Sequence, residues 1–162
     1  MMITYNDTKK DLPVEQLHHL FVTAGWSDSG TPPDDILKNF NRPFIDSTLV
    51  ISAWEDERLV GTVRVLSDKF IRSVIYDLVI DPEYQGKGIG AELVKRCIAH
   101  YPNSEWLVGC LKNVASFYEK VGFKVDTNCE VFYQSLQFIN ALNKPYSHNK
   151  TAHVVGATQA VK

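Results

Sequence analysis

The stretch that decides the fold of this chain reads Val79-Ile80-Asp81-Pro82-Glu83-Tyr84-Gln85-Gly86-Lys87-Gly88-Ile89-Gly90. An apolar, strand-like run ends at Asp81-Pro82, a short loop rich in glycine follows, and an amphipathic helix pattern begins at the end of that loop. Glycine lets a backbone approach a ligand closely, and the free N–H groups of a helix's first turn favour a bound anion. The stretch therefore predicts a phosphate-binding loop between a strand and a helix.

The composition is that of one globular domain. The 162 residues carry a formal net charge of −2, and 44% of them are hydrophobic, which suits a single core of ordinary size. The lack of a long basic block disfavours nucleic-acid and anionic-membrane partners, and no apolar run approaches the roughly 20 residues that cross a bilayer. The first residues lack a signal-peptide pattern, and the widely spaced cysteines fit neither a disulfide framework nor a metal site. We therefore expect a reduced, cytoplasmic protein that binds no metal, nucleic acid or membrane.

Hydrophobic periodicity predicts a mixed α/β (α+β) domain over residues 1–136, followed by an extension, residues 137–162, that we expect to be mobile. The predicted strands are 3–6, 49–54, 59–66, 73–80, 106–111, 123–125 and 130–136, and the predicted helices are 14–25, 33–40, 88–101 and 114–121. Arg42-Pro43 is expected to end the second helix. Asn113 is expected to cap the last helix, and Gly122 to follow it in the left-handed conformation.

Two segments of the sequence share their pattern with a known family. Residues 85–90 match the Gln/Arg-x-x-Gly-x-Gly/Ala signature of the GNAT acetyltransferase superfamily, and residues 113–123 resemble its second common segment. The interval between them contains one predicted helix and one predicted strand, as that family requires. The resemblance covers roughly residues 1–136. Residues 60–61 and 75–82 look most like the small amine acetyltransferases that include the plastid serotonin-acetylating enzymes.

The resemblance implies a GNAT fold: a central, mixed but mostly antiparallel sheet of about six to seven strands, a splay between the fourth and fifth strands, and about four flanking helices. It also implies acetyl-CoA as the donor, with the pyrophosphate on the loop amides and the pantetheine arm on the exposed edge of the fourth strand. The residues that it assigns to the cofactor are Leu78, Val79, Ile80, Gln85, Gly86, Lys87, Gly88, Ile89, Gly90, Asn113 and Ser116.

Two other interpretations of the loop compete with a CoA site. A dinucleotide site would also begin with a glycine-rich turn between a strand and a helix, but the spacing differs from Gly-x-Gly-x-x-Gly and no repeated βαβ half is present. The other interpretation is a glycine turn used only for tight packing.

Two residues are candidates for proton transfer. Tyr118 corresponds in the resemblance to the family's tyrosine near the thioester sulfur, and a phenol with a pKa of about 10 can donate a proton to a departing thiolate. The alternative is a core tyrosine, because Tyr118 shares a helical stripe with Val114 and Val121. Asp77 interrupts an apolar run beside the expected thioester, where it would act as a base or attract a cationic acceptor, unless loop amides bind it. Cys110 allows an acyl-cysteine route, although a buried strand cysteine is usually inert.

The acceptor site is expected to include Trp26, Asp77 and Phe132, although each aromatic ring could instead belong to the core. We predict an N-acetyltransferase that moves acetyl from acetyl-CoA to a primary amine by direct attack in a ternary complex, with strand amides near Val79 holding the oxyanion. A small amine acceptor is favoured. The alternatives are acetylation of a protein lysine or N-terminus, and a non-catalytic acyl-CoA-binding sensor domain. Both a monomer and a homodimer are compatible with the sequence.

Overall fold

A sheet of five strands in the order β1-β2-β3-β4-β5 lies at the centre of the molecule. The computed structural model describes residues 2–27, 30 and 32–125. The strands are β1 (Ile3–Asn6), β2 (Leu49–Glu55), β3 (Arg58–Ser67), β4 (Arg72–Ile80) and β5 (Glu105–Val108). The helices in this part of the chain are α1 (Val14–Thr23), α2 (Asp34–Lys38), α3 (Arg42–Ile45), α4 (Ile89–His100) and α5 (Ala115–Lys120). Neighbouring strands are antiparallel except for β4 and β5, which are parallel. The predicted mixed, mostly antiparallel sheet is confirmed.

The β2–β3 hairpin forms where two apolar runs flank a short charged turn. Asp56 in this turn has a φ angle of 51°, a left-handed conformation that a short polar side chain tolerates. Both strands are buried over most of their length, and their register runs from Leu49↔Val65 to Glu55↔Arg58. Because β3 also pairs with β4, this hairpin holds β4 in the sheet.

β4 pairs with β3 as far as its last residue but pairs with β5 over its first half alone. The parallel register between β4 and β5 ends at Ile75↔Val108, whereas the ladder between β3 and β4 continues to Gly61↔Ile80. Within the described residues, the β5-facing edge of β4 therefore has no neighbouring strand after Ile75. This is the predicted splay between the fourth and fifth strands.

Each face of the sheet is covered by its own helices. On one face Leu93 of α4 packs with Leu78 and Ile80 of β4. On the other face Leu17 of α1 packs with Val79. Consecutive β4 residues thus point to opposite faces, as strand geometry requires. Burying one such leucine stabilises a fold by roughly 1.5–3 kcal/mol, so both helical layers hold β4 in place.

The C-terminal strands of the prediction differ from the structure. Residues 123–125, predicted as a strand, have no regular secondary structure. Phe123 N–H instead donates to Tyr118 O at 3.0 Å, which folds this segment back on the end of α5. β5 ends at Val108 rather than at residue 111. The strand predicted at 130–136 lies outside the described residues, so the described sheet has five strands rather than six to seven.

Two helix boundaries also differ from the prediction. Asn113 is not the cap of α5: it lies in the 3-10 turn Lys112–Val114, and α5 begins after that turn without a side-chain cap. Arg42-Pro43 does not end a helix but begins α3, because a proline in a first helical turn needs no partner for an N–H group. Gly122 does follow the end of α5 with a φ angle of 99°, as predicted.

Candidate functional site

The loop after β4 is anchored at its start by Asp81. This residue is 4% exposed. One carboxylate oxygen accepts from the N–H of Glu83 at 3.0 Å, and the other accepts from Nη2 of Arg58 at 2.7 Å. The proline that follows begins the 3-10 turn Pro82–Tyr84, where a missing N–H has no consequence. The loop therefore leaves the sheet in one defined direction.

Gln85 ties the next part of the loop to the strand. Its side-chain Nε2 donates to Ile80 O at 3.1 Å, and its backbone N–H donates to Pro82 O at 3.3 Å. The sequence assigns Gln85 to the cofactor, but these donors already bind the chain itself. Gln85 thus shapes the loop, and the amides that follow it remain as candidate anion ligands.

Gly86 and Gly88 give the loop its curvature. Their φ angles are 72° and 81°, a conformation that costs other L-residues roughly 1–2 kcal/mol. A Cβ atom built on either residue would meet no atom within 4 Å, so both face open space. Gly90 differs, because a Cβ atom there would lie 3.4 Å from Cζ of Phe117. Gly90 therefore lies in the contact between α4 and α5 rather than in open space.

The first turn of α4 faces the same open space. Gly88 is its N-cap residue, and the first internal hydrogen bond runs from Glu92 N–H to Gly88 O at 3.0 Å. The N–H groups of Ile89, Gly90 and Ala91 consequently precede the hydrogen-bond ladder of the helix. Together with the helix dipole, these amides favour a bound anion.

A cleft of about 260 Å³ lies between this loop, the start of α4 and α5. Its lining contains six predicted cofactor residues and five others: Ile80, Gln85, Gly86, Gly88, Ile89 and Gly90, with Tyr84, Ala91, Phe117, Lys120 and Val121. Lys120 was not identified from the sequence, although its spacing of three residues from Phe117 places both on one helix face. Asn113 and Ser116 are exposed near this cleft's α5 wall but do not line it.

Tyr84 holds two cations beside the loop. Nζ of Lys87 lies 4.7 Å from the centre of the Tyr84 ring, and Cζ of Arg58 lies 5.2 Å from it, both within the range of a cation–π contact. The Tyr84 hydroxyl donates to the carboxylate of Glu55 on β2, and this hydrogen bond raises the pKa of the phenol. The predicted cation Lys87 is thus beside the loop rather than in the lining of the cleft.

The free edge of β4 offers the backbone groups of alternate residues. Asp81 N–H donates to Val60 O at 3.0 Å, and every second residue of an antiparallel strand points to the same neighbour. Val79 therefore directs its N–H and C=O groups toward β3, whereas Leu78 and Ile80 direct theirs to the open side. The sequence assigns all three residues to the pantetheine arm, but the strand pairing fits Leu78 and Ile80 alone.

Tyr118 lies in the core beside this edge. It is 2% exposed and belongs to the same apolar cluster as Leu78 and Ile80. Its ring meets the rings of Phe117 and Phe123 edge to face, with centroid distances of 4.9 and 5.5 Å. The core interpretation describes the ring of Tyr118 correctly, and proton donation by its hydroxyl stays a prediction.

A β-bulge interrupts the pairing of β3 and β4 at the point where β5 diverges. The register moves from Val63↔Leu78 to Val65↔Ile75, so two β4 residues oppose a single β3 residue. Bulges of this kind redirect side chains and are frequent beside active sites. They depend on the strand register, and the sequence pattern alone did not indicate this one.

The three residues at the bulge contact one another. Oδ2 of Asp77 accepts a hydrogen bond from Nε of Arg64, and Cζ of Arg64 lies 4.9 Å from the centre of the Tyr76 ring. The expected alternative for Asp77, binding by loop amides, is wrong because a guanidinium takes that place. Asp77 shares the sheet face of Val79, which α1 covers, and so lies on the face opposite α4 and α5.

The predicted acceptor aromatics are less well placed. Trp26 packs against the α1 core, with its ring 5.7 Å from that of Phe21, and its role in binding an acceptor stays a prediction. Phe132 lies outside the described residues. A shallow depression of about 280 Å³ lies near Trp26 between α1 and α2, and it is lined by Glu15, His18, His19, Val22, Gly30, Pro32 and Leu37.

The described residues offer little support for other chemistries. Burial raises the pKa of the Cys97 thiol to about 12 and also raises the pKa of Cys110, so the reactive thiolate of an acyl-cysteine route is disfavoured. No three His, Cys, Asp or Glu side chains in the described ranges are grouped to hold a metal ion. No helix in this part of the chain combines the length and apolarity needed to cross a membrane.

The sequence matches the profile of the Acetyltransferase (GNAT) domain family over residues 33–141. That segment includes β2 to β5, the loop, α4 and α5, and therefore every residue that lines the cleft.

Curated relatives are also similar to this chain. The N-acetyltransferase ycf52 of Porphyra purpurea, described as uncharacterized, is 30% identical over 129 residues, which cover 75% of this chain and 71% of that protein. Histone acetyltransferase TAP1 of Glycine max is 32% identical over 77 residues. That match covers 44% of this chain and 32% of the soybean protein.

A solved structure has the same fold. The structure of a GNAT family acetyltransferase of Streptococcus pneumoniae superposes with a TM-score of 0.68 at 22% identity, covering 83% of this chain and 98% of that one. The family profile, the curated relatives and the splayed sheet agree. The chain belongs to the GNAT superfamily of N-acetyltransferases and is an acyltransferase.

Proposed function

We propose that this enzyme transfers an acetyl group from acetyl-CoA to a small primary amine by direct attack in a ternary complex. The observation that carries the proposal is the cleft between the loop, α4 and α5, whose lining combines the glycine-rich start of α4 with the cationic residue Lys120. Amides at a helix N-terminus bind phosphate without a metal. The apolar remainder of the lining, including Ile80 and Phe117, suits the uncharged part of a CoA molecule.

The conformations of Gly86 and Gly88 argue against the packing interpretation. Glycines kept for close packing lie against neighbouring atoms, as Gly90 does beside Phe117. Gly86 and Gly88 instead combine a positive φ angle with open space on the Cβ side. In this proposal the amides of residues 86–90 hold the pyrophosphate, and Lys120 and Lys87 add positive charge.

Acetyl-CoA, when bound, supplies an activated thioester. The backbone groups of Leu78 and Ile80 on the open β4 edge orient the pantetheine arm, and Leu78 N–H replaces the Val79 amide as the donor for the oxyanion. Tyr118 donates its hydroxyl proton to the departing sulfur, and the proton that the attacking nitrogen loses restores the phenol through solvent. The packing of its ring against Phe117 and Phe123 limits the directions in which that hydroxyl can point.

Asp77 is the proposed contact for the acceptor amine. It follows the last residue of β4 that pairs with β5 by two positions, and it lies on the sheet face opposite the cleft. Its side chain is 16% exposed, so a narrow group such as an alkyl ammonium can reach it. One oxygen of this carboxylate already accepts from Arg64, and in this proposal Asp77 binds the amine and does not remove its proton.

The proposal is tested with purified protein, acetyl-CoA and a panel of arylalkylamines and polyamines. We expect CoA to bind in calorimetry, and CoA release to depend on at least one amine. A folded protein that binds no CoA would contradict the cofactor assignment. Tight CoA binding without turnover on any amine or peptide would favour the sensor interpretation.

Acetylation of a protein lysine is the second candidate. It is favoured by the similarity to a relative whose name is histone acetyltransferase, and a lysine side chain is itself a narrow alkyl ammonium. The two acceptors are separated by comparing kcat/KM for lysine peptides and free amines in the same assay. A preference of more than about tenfold for peptides would reverse the proposed order.

The cytoplasmic location and the choice between monomer and homodimer stay predictions. Light scattering after size-exclusion chromatography measures the oligomeric state directly. The location is measured by fractionating cells that express the full chain.

A further inference from the structure

An ion pair marks the sheet face opposite the cleft. The side chains of Arg64 and Asp77 are 17% and 16% exposed, so most of each charge is removed from water. The guanidinium makes three contacts: its Nε donates to Asp77, its Nη1 lies 3.4 Å from Oγ of Ser47, and its Cζ lies over the Tyr76 ring. These contacts hold the guanidinium in one orientation.

Ser47 is itself fixed by the surrounding chain. It is 2% exposed, its hydroxyl donates to Pro43 O at 2.6 Å, and its carbonyl accepts from Nζ of Lys10 at 2.6 Å. Arg64 is therefore clamped between β4 and the segment that leads from α3 into β2. A rigid partner of this kind fixes the direction in which the Asp77 carboxylate points.

The second oxygen of Asp77 is available to a ligand. Within the described residues, Oδ1 of Asp77 accepts no hydrogen bond, and it is not among the buried atoms that lack a partner. An ionised carboxylate can accept from more than one donor. Asp77 can thus bind Arg64 and an acceptor amine at the same time.

The charge of the pair affects the chemistry of such an amine. An amine attacks a thioester in its neutral form, and a carboxylate without a partner stabilises the ammonium form. The positive charge of Arg64 cancels the charge of Asp77 at contact distance. The titratable groups that the structure places around Asp77 are Arg64 and Tyr76, with Lys10 beyond Ser47.

We propose that Arg64 is a positioning residue for the acceptor: it aims Asp77 and cancels its charge, so that Asp77 binds the amine by a hydrogen bond without retaining it as an ammonium ion. This inference rests on the proposed transfer of acetyl to an amine. It gives β3 a role in positioning the acceptor, whereas the glycine loop acts on the cofactor.

The test measures kcat and KM against pH for an accepted amine in the wild type, Arg64→Gln, Arg64→Lys and the double variant Arg64→Gln/Asp77→Asn. In Arg64→Gln we expect KM for the cationic amine to fall and the rising limb of kcat to move up by about one pH unit. The conservative Arg64→Lys should keep the limb close to the wild-type position. The double variant should return the rising limb of kcat to the wild-type position, because the uncompensated charge of the Asp77 carboxylate is gone.

Asp77→Asn gives an independent measurement if Arg64→Gln does not fold. It leaves the guanidinium uncompensated, so KM for the cationic amine should rise and the limb should move to lower pH. Turnover that falls equally at every pH, with an unmoved limb in both variants, would show that the pair is only structural and would overturn the inference. Absence of wild-type turnover on all amines would instead overturn the proposed function, and this inference with it.

Discussion

The two faces of the sheet build their parts of the site from different kinds of group. On the α4–α5 face, the groups that would hold an anion are backbone amides, and they come from one continuous stretch, residues 86–91. On the α1 face, the groups are side chains from two strands, Arg64 of β3 and Asp77 of β4. The first arrangement depends on local conformation, whereas the second depends on strand register.

Because of this difference, substitutions in the loop and substitutions in the ion pair should have different effects. A substitution at Gly86 or Gly88 changes the backbone that would bind the cofactor, because both residues have positive φ angles. A substitution at Arg64 or Asp77 changes the charge on the α1 face, the proposed side of the acceptor, while leaving the loop intact. An enzyme built in this way can change its acceptor without changing its cofactor.

The largest expected effect falls on Tyr118, the proposed proton donor, which packs on the α4–α5 face beside β4. Tyr118→Phe removes one hydroxyl from a buried ring and should lower kcat by about a hundredfold, with little change in the affinity for CoA. Steady-state kinetics and calorimetry measure the two quantities. Tyr101→Phe at the C-cap of α4, whose ring stacks on Trp106 at 6.3 Å, is the matched control. An unchanged kcat in Tyr118→Phe would reduce Tyr118 to a core residue.

The next effect concerns the backbone face alone. Gly88→Ala and Gly25→Ala both place a side chain at a positive φ angle, 81° and 77°, in open space, and each should lower the free energy of unfolding by roughly 1–2 kcal/mol. Gly88→Ala should also weaken CoA binding by about tenfold, since its Cβ atom would occupy the space for the pyrophosphate. Thermal unfolding and calorimetry separate strain from binding. Equal CoA affinities in the two variants would contradict a cofactor site at this loop.

A smaller effect is expected at the cation of the α5 wall. Lys120→Ala should weaken CoA binding by about threefold to tenfold and make the affinity less sensitive to salt, because one screened charge is lost. Lys95→Ala removes an exposed lysine on α4 that does not line the cleft, and it should leave the affinity unchanged. The same loss in both variants would indicate an effect of net charge rather than of the cleft.

The smallest effect is a pH dependence of stability. The pKa of Tyr84 is raised above its ordinary value of 10.0, chiefly by the hydrogen bond to Glu55. The stabilising contribution of a group with a raised pKa is complete below the ordinary value and is lost as the pH rises through the folded-state value. The melting temperature of the wild type should therefore fall more between pH 9 and pH 11 than that of Tyr84→Phe. Parallel curves for the two proteins would contradict this contribution.

The backbone face could be predicted from the sequence because its determinants are local. The glycine spacing, the preceding apolar strand and the following helix pattern together indicated the loop, and six of its predicted residues line the cleft. Gln85 is one of these six, but its donors bind Ile80 O and Pro82 O and so shape the loop itself. The local sequence pattern does not show which hydrogen-bond donors of a loop bind the loop's own backbone and which are left for a ligand.

The side-chain face could not be predicted in the same way. Asp77 was identified because it interrupts an apolar run, but its partner Arg64 is 13 positions away in sequence and faces it through a bulge. Lys120 lines the cleft because α5 packs beside the start of α4. Both facts depend on the packing of elements against one another, which a single sequence does not display.

The most direct measurement of the division between the faces is a nuclear magnetic resonance titration of the full chain with CoA and then with an accepted amine. We expect CoA to shift the backbone amides of Gly86, Gly88 and Ile89 and to leave the Nε resonance of Arg64 nearly unchanged. The amine should then shift the Arg64 resonance and leave the loop amides in place. Loop amides that do not respond to CoA, or an Arg64 resonance that responds to CoA and not to the amine, would contradict the assignment of cofactor and acceptor to opposite faces.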